Sequence, residues 1–144
     1  MPEEGTLKRA QKDKAEGKAP STQAGEFVRE EIEHVREGKH GARSAKQAIA
    51  IGLAKARRAG VDLAPPNTGS KKMRAQAASD LKKGKKRAKK SAKRSQAASK
   101  ALKREGRSAA SKLALSRHAR SAAKKRSAAS RSSSAKKAAR TRKK

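Results

Sequence analysis

Lysine and arginine side chains in the second half of the sequence have the type and spacing to do chemistry. Residues 67–144 hold 29 of the 42 Lys and Arg residues and two acids, Asp80 and Glu105, which gives this half +27 of the net charge of +30. Cations at this density neutralise phosphate groups and release condensed counterions, and the resulting affinity falls steeply as salt rises. The sequence therefore predicts a protein that binds polyanions.

The other residues of the sequence limit which kind of polyanion the cations are expected to bind. Phe27 is the only aromatic residue, so stacking on the bases of single strands is not expected. Phosphate contacts without base contacts position a protein but specify no base sequence. We therefore expect non-sequence-specific nucleic-acid binding of the histone-like nucleoid type, to double-stranded DNA more than to RNA. The residues predicted to bind are Lys82, Lys83, Lys85, Lys86, Arg87, Lys89, Lys90, Lys93, Arg94, Lys103, Arg104, Arg107, Lys124, Lys125, Arg126, Lys136, Lys137, Arg140 and Arg142.

Other functions stay open at this point. An RNA-binding or ribosome-associated basic protein would have the same composition. A plasmid-maintenance or antitoxin-like module would instead bind a protein partner through its first half and use the basic segment for localisation. The acidic residues Glu30, Glu33 and Glu37 share one face of a predicted helix, which could fold back on the cations and mask them. A sequence-reading role for the second predicted helix, through Lys46, Gln47 and Arg57, would need a third, supporting helix.

Catalytic and metal chemistry is not expected. Glu30 and His34 are four residues apart on a predicted helix, a spacing that can hold a metal ion, but exposed helix residues with ion-pair partners are commoner. The sequence has no Cys, no Gly-rich phosphate loop and no nucleophile elbow. The sequence offers little apolar core that could bury a Glu side chain and shift its pKa into the range needed for general acid–base catalysis. We therefore predict no enzyme, no metal site and no cofactor.

Residues 21–64, the helix pair, are predicted to form two packed helices. Apolar residues recur at three- and four-residue spacing over 22–37, which places them on one face of the first helix. Ser21 or Thr22 is expected to cap its start and Gly38 to end it.

The second helix is predicted over 45–59. Ser44 is a good N-cap, Gly60 fits the left-handed position after the helix, and Pro65-Pro66 prevents its continuation. Gly52 is small enough to let another helix come close. The predicted core of the pair is Phe27, Val28, Ile32, Val35, Ile49 and Leu53.

A helix pair of this size is near the lower limit for independent stability. We therefore expect a homodimer through residues 22–60 to supply the missing apolar contact. Residues 1–20 are polar and mixed in charge, which predicts a flexible leader.

Residues 65–144 are the basic arm, and after Pro65 and Pro66 it contains only five apolar residues larger than Ala. Burying each contributes roughly 1.5 to 3 kcal/mol, whereas ordering the backbone costs about 1 to 2 kcal/mol per residue. The predicted fold class is therefore all-α: a small helical hairpin with a long disordered or conditionally helical cationic arm.

The second helix carries a recognisable motif. Residues 46–53 read KQAIAIGL and residues 56–60 read ARRAG. This pattern resembles a bacterial family of uncharacterised small basic proteins, which share a lysine-rich flank and some of which are labelled DNA-binding or plasmid-stabilisation proteins. The resemblance covers about 40 residues and implies no catalytic residues. The basic arm separately resembles the tails of linker histones and histone-like bacterial proteins, but it lacks their interspersed prolines.

Membrane insertion and secretion are not expected. The longest apolar run covers residues 48–54, far short of the roughly 20 residues that a membrane span needs. The first residues lack the positive start and apolar centre of a secretory signal. We therefore expect a cytoplasmic protein located at the bacterial nucleoid.

Overall fold

The computed structural model describes residues 1–86 and 91–142. Within these ranges the secondary structure is helical without strands, which confirms the all-α prediction. The α-helices are α1 (Glu4–Ala15), α2 (Pro20–Glu37), α3 (Ala45–Arg58), α4 (Lys71–Lys85), α5 (Ala92–Lys103), α6 (Lys112–Lys124) and α7 (Ala128–Arg142), and a 3-10 turn (Ser108–Ala110) lies between α5 and α6.

The helix pair forms as predicted, since α2 and α3 pack against each other more extensively than other elements do. Gly52 makes this close approach possible. A Cβ atom at this position would lie 2.6 Å from the Cα atom of Val28 and 3.0 Å from the carbonyl oxygen of Phe27. The close crossing predicted from the size of Gly52 is therefore present.

The ends of the two helices follow most of the predicted signals. Gly38 takes the left-handed conformation, with φ of 79°, and ends α2. The Ser44 hydroxyl accepts a hydrogen bond from the backbone N–H of Gln47 at 3.2 Å and starts α3. Gly60 has φ of 97°. The predicted cap at Ser21 or Thr22 is wrong, because α2 begins at Pro20, whose fixed φ suits the first helical position.

Two apolar clusters lie in the interior. One consists of Ile32, Val35, Ala42, Ala48, Ala109 and Ala110, with Val28 and Leu115 packed against it. The other consists of Ala10, Ala24, Phe27, Ala56 and Val61, with Leu7, Leu53 and Leu63 packed against it. Of the predicted core residues, Phe27, Ile32 and Val35 are buried and Val28 and Leu53 partly buried, whereas the partly buried Ile49 belongs to neither cluster.

The segment predicted to be a flexible leader is instead helical over most of its length, as α1, and packs on α2. Ala10 is buried and Leu7 lies against the cluster that contains Phe27. Arg9 and Glu26 form an ion pair at 2.5 Å between the two helices. The prediction missed this packing because it rests on few apolar residues and on polar contacts of Glu3 and Arg9 to α2 and the turn after it, which leave little trace in the apolar pattern of the sequence.

The start of the basic arm also packs on the helix pair. On α4, Ala77 and Asp80 are buried, and a Cβ atom on Gly84 would clash with the carbonyl oxygen of Arg57. Ala109 and Ala110 of the 3-10 turn are buried in the cluster with Ile32 and Val35. The prediction of an unpacked arm missed these contacts because it counted only residues larger than Ala as core formers. Burying Gly or Ala costs no side-chain entropy and lets two backbones approach closely.

The remaining arm helices differ from α4 in their packing. Helices α5 and α7 contain no buried residue, and α6 contacts the interior only through partly buried residues such as Leu115. The disorder predicted for the arm is not shown, because most of the described residues of the arm lie in α4, α5, α6 and α7.

The homodimer was expected because the helix pair alone has few apolar contacts. In the structure, Leu7, Ala110 and Leu115 of the same chain supply apolar contacts to the helix pair. Among the described residues, the exposed large apolar side chains are Met1, Met73 and Leu113, none of them in the segment predicted to dimerise. No described helix has the length and apolar character needed to cross a membrane.

Candidate nucleic-acid interface

The predicted nucleic-acid-binding side chains are spread over four helices and their connections. Every one that the structure describes is exposed to solvent, whereas Arg87, Lys89 and Lys90 lie outside the described residues. Lys82, Lys83 and Lys85 lie in the last turn of α4. Lys93 and Arg94 lie on α5, Lys124 ends α6, and Lys136, Lys137, Arg140 and Arg142 lie on α7; Lys86, Lys103, Arg104, Arg107, Lys125 and Arg126 lie at helix ends or between helices.

One basic face lies on α6. Arg117, Arg120, Ser121, Lys124 and Lys125 line a shallow depression along this helix. The positions recur at intervals of three and four residues, so their side chains lie on neighbouring turns of the same face. Arg117 and Arg120 were not among the residues predicted to bind. They could have been predicted from their spacing, because Arg117, Arg120 and Lys124 recur at intervals of three and four residues along one helix.

A second basic face lies on α7. Its depression is lined by Ser132, Ser133, Lys136, Lys137 and Arg140, together with Ala129. Ammonium and guanidinium groups beside hydroxyls are the side-chain groups that contact phosphate oxygens in protein–DNA complexes. Lys136, Lys137 and Arg140 were all predicted from the sequence, and the structure places them on one face of α7.

Most of these cations have no acidic partner. Among the described Lys and Arg residues of the basic arm, Lys85 has an ion pair, at 3.2 Å from Asp62, and both side chains are exposed. Arg126 instead donates hydrogen bonds to the carbonyl oxygen and hydroxyl of Ser130, at 2.9 and 3.1 Å, and to the hydroxyl of Ser134. The positive charge of the arm is therefore not neutralised within the described chain.

The two acids of the arm are directed toward the helix pair. Asp80 is buried and accepts a hydrogen bond from Arg58 at 2.7 Å. Glu105 lies 3.6 Å from Arg43. Both partners belong to residues 21–64, so these acids anchor the arm and do not shield its cations.

The acidic face of α2 does not mask the arm either. Glu33 pairs with Arg29 at 3.0 Å, and Glu37 with Lys39 at 3.0 Å. Glu33 raises the pKa of Arg29 through their hydrogen bond, and hydrogen bonds to Glu3 and Glu37 raise the pKa of Lys39.

Arg57 is not placed to read bases. Its guanidinium is buried and donates to the carbonyl oxygens of Leu63 and Ala64 at 3.0 and 3.2 Å. Burial lowers the pKa of this guanidinium. Arg57 therefore fixes the chain after α3 and is not available to contact bases, whereas Lys46 of the same helix is exposed.

Polar groups also meet in the interior of the helix pair. The side chains of Glu30 and Glu31 are 2 and 1% exposed, and the Lys55 ammonium lies 3.7 Å from Glu30 Oε1 and 2.5 Å from Glu31 Oε2. The remaining oxygen of Glu30, Oε2, accepts from the backbone N–H of Glu3 at 3.0 Å. Lys55 thus compensates two buried carboxylates at once.

The histidine chosen by spacing pairs with a residue distant in sequence. His34 Nε2 lies 2.8 Å from Glu3 Oε1, which also accepts from the Lys39 ammonium at 3.0 Å. These two hydrogen bonds, that of His34 first, lower the pKa of Glu3 to about 2. Among the described residues, the three side chains whose ligand atoms come close enough to hold a metal ion together are Glu31, His34 and His40, a group that does not include Glu30.

Comparison of the sequence with protein-family models finds no match, and neither the search of curated proteins nor that of solved structures finds one. The family suggested by the motif of residues 46–60 therefore stays a prediction.

Proposed function

We propose that this protein binds double-stranded DNA without sequence preference, through phosphate contacts of the basic arm. The observation that carries the proposal is the set of exposed cations on α5, α6 and α7 that lack acidic partners among the described residues. An exposed cation without an acidic partner breaks no ion pair when it contacts a phosphate, and each such contact releases counterions from the duplex.

The shape of the basic surface favours B-form DNA over structured RNA. The cations of α6 and α7 lie on the faces of helices. The major groove of B-DNA is wide enough to admit an α-helix, whereas the major groove of A-form RNA is too deep and narrow for side chains to read. Single strands are usually held by aromatic stacking, for which the sequence offers only the buried Phe27.

We further propose that α5 and α7 are conditional helices, which bound DNA stabilises. They are 12 and 15 residues long and bury no residue. Isolated helices shorter than about 12 to 15 residues are marginal in water, and here like charges repel along the helix. Phosphate groups relieve this repulsion, so binding and helix formation support each other.

Binding to a labelled duplex as a function of salt tests the proposal. The variant Lys136→Gln, Lys137→Gln, Arg140→Gln removes three cations from the basic face of α7. If all three contact phosphates, the slope of log affinity against log salt falls by up to about 3, because each lost contact removes about 0.9. Parallel titrations with single-stranded DNA and a structured RNA compare the polyanions.

A matched control removes the same charge from the other half of the chain. Lys12, Lys14 and Lys46 are exposed residues of α1 and α3, and all three become Gln in this variant. We expect its salt slope to remain close to that of the unchanged protein. An equal decrease of the salt slope in the two variants would mean that DNA binding depends only on net charge. Tighter binding to RNA than to duplex DNA would contradict the proposed target.

A further inference from the structure

Three side chains able to bind a metal ion converge between the end of α2 and the following turn. Glu31 and His34 are three residues apart on α2, and the left-handed turn at Gly38 brings His40 back toward them. One ligand atom from each of the three lies within 4.8 Å of the other two. This cluster shares no residue with the basic faces of α6 and α7, so a metal ion bound here would be independent of the proposed DNA binding.

The carboxylate of Glu31 is the unusual member of the cluster. Its side chain is 1% exposed, and neither oxygen has a hydrogen-bond partner. Lys55 approaches Oε2 as an ion pair, without hydrogen-bond geometry. A buried carboxylate without hydrogen bonds is costly. Its oxygen Oε1 is directed toward His40, with 3.4 Å between Oε1 and Nε2.

The backbone fixes which nitrogen of His40 is free. Nδ1 lies 3.1 Å from the carbonyl oxygen of Gly41, and a carbonyl oxygen can only accept, so Nδ1 carries the hydrogen. In the neutral ring Nε2 then presents its lone pair to the Glu31 carboxylate. Two lone pairs facing each other require a cation between them, either a metal ion or a proton on Nε2.

His34 is held in the manner of a metal-binding histidine. Its ring is 12% exposed, and Nε2 donates to the Glu3 carboxylate at 2.8 Å. Histidines that bind metals commonly donate their second ring N–H to a carboxylate, which orients the ring and makes the other nitrogen more basic. The rings of His34 and His40 meet edge to face, with centroids 6.0 Å apart.

The charges around the cluster favour a divalent cation. The ion-pair network joins four carboxylates, of Glu3, Glu30, Glu31 and Glu37, to the two ammonium groups of Lys39 and Lys55. Each of these two ammonium groups is thus shared between two carboxylates.

From this geometry we infer that Glu31, His34 and His40 form a binding site for a divalent transition metal, most suitably Zn²⁺. Two imidazoles and one carboxylate are a known three-ligand set for zinc, which keeps a fourth position for water or another ligand. Glu3 would support the site through its hydrogen bond with His34. The site ties the N-terminal segment, α2 and the turn before α3 together.

Titration of the full metal-free chain with ZnCl₂, followed by calorimetry, tests this inference. We expect one zinc ion per chain. Glu31→Gln and His40→Gln should each weaken binding at least about tenfold, because losing a ligand costs no less than losing a partner that only orients one. The control is His118→Gln, which changes a histidine on α6 outside the cluster and should leave zinc affinity unchanged.

A second measurement uses the unchanged protein and does not depend on how the variants fold. Imidazole ¹⁵N spectra should show shifts at His34 and His40 on addition of zinc and no shift at His118. The absence of zinc binding, or equal shifts at all three histidines, would overturn the inference. A His40 ring that is protonated at neutral pH and indifferent to zinc would overturn it as well, because a proton would then occupy the position between His40 and Glu31.

Discussion

At three positions a glycine stands where a neighbouring backbone comes too close for any side chain. Gly41 meets the loop before the 3-10 turn, Gly52 meets α2, and Gly84 meets the end of α3. Each contact joins segments that are distant in sequence. Single residues without a Cβ atom therefore set how closely the elements approach, in a chain that has few large apolar residues to hold them together.

Replacing Gly52 by Ala should destabilise the protein. The new Cβ atom would lie 2.6 Å from the Val28 Cα atom, so α2 or α3 must shift. Overpacking of this kind typically costs about 1 to 3 kcal/mol. Thermal or urea unfolding measures the difference.

Gly25→Ala is the matched control for this substitution. Gly25 also lies inside a helix, but a Cβ atom there meets nothing within 4 Å. Ala is favoured over Gly in a helix by roughly 0.5 to 1 kcal/mol, so this variant should be more stable. Stabilisation by both substitutions would contradict the close crossing.

Lys55 should be indispensable for the buried carboxylates. Lys55→Met leaves Glu30 and Glu31 without their shared ammonium group, and removing one partner of a buried ion pair typically costs about 3 to 5 kcal/mol. Lys46→Met is the control, since Lys46 is exposed on the same helix. Chemical unfolding compares the two, and adding Glu31→Gln to Lys55→Met should recover part of the loss. A cost no larger than that of Lys46→Met would show that solvent already compensates both carboxylates.

Helices α2 and α3 could be predicted from the sequence, but the packing of α1, α4 and the 3-10 turn against them could not. The ends of these two helices rest on Gly38, Ser44 and Gly60, whose effects are local, and their buried faces follow from apolar spacing. The packing of α4 and the 3-10 turn depends on Ala and Gly residues, which are equally common in segments that bury nothing. Sequence composition cannot separate the two cases.

The candidate sites divide in the same way. The density of cations predicted that the arm binds polyanions, but the grouping of Lys136, Lys137 and Arg140 on one face of α7 was not predicted from the sequence. The cluster of Glu31 with His40 was not predicted, because it depends on a left-handed turn between the two residues. Spacing along one helix suggested Glu30 and His34 instead, and the structure directs Glu30 to Lys55.

Amide hydrogen exchange should separate the elements by their packing. In the free protein we expect strong protection in α2 and α3 and little in α5 and α7, which bury no residue. A bound DNA duplex should protect α5 and α7 and leave α2 and α3 unchanged. Protection of α5 and α7 in the free protein would contradict their proposed conditional folding.

In the part of the molecule that the structure describes, the two acids of the arm are paired with the helix pair, whereas the cations of the arm face solvent. Asp80 and Glu105, the acids of the arm, bind Arg58 and Arg43 of the helix pair. Residues 67–144 therefore carry +27 of the net charge of +30 with little internal neutralisation among the described residues. Self-repulsion of this kind destabilises a compact state, and dissolved salt screens it.

The melting temperature of the free protein should consequently rise with NaCl. Screening shortens the range of repulsion to about 10 Å at 0.1 M salt, whereas the exposed ion pairs that salt weakens contribute little. The variant Lys136→Gln, Lys137→Gln, Arg140→Gln should show a smaller rise, because part of the repulsion is already gone. A melting temperature that falls with salt would mean that the ion pairs outweigh the repulsion.

The lack of buried residues in α5 and α7 also bears on how the sequence can change over generations. No buried packing partner depends on a side chain there, so exchanges of Lys for Arg or Ser for Ala in either helix, and insertions or deletions in α7, leave the interior untouched. Selection would act on the overall charge of these segments and not on individual positions. We therefore expect homologous chains to align through α2, α3 and the Ala-rich 3-10 turn, while the ends of their basic arms diverge in length and order.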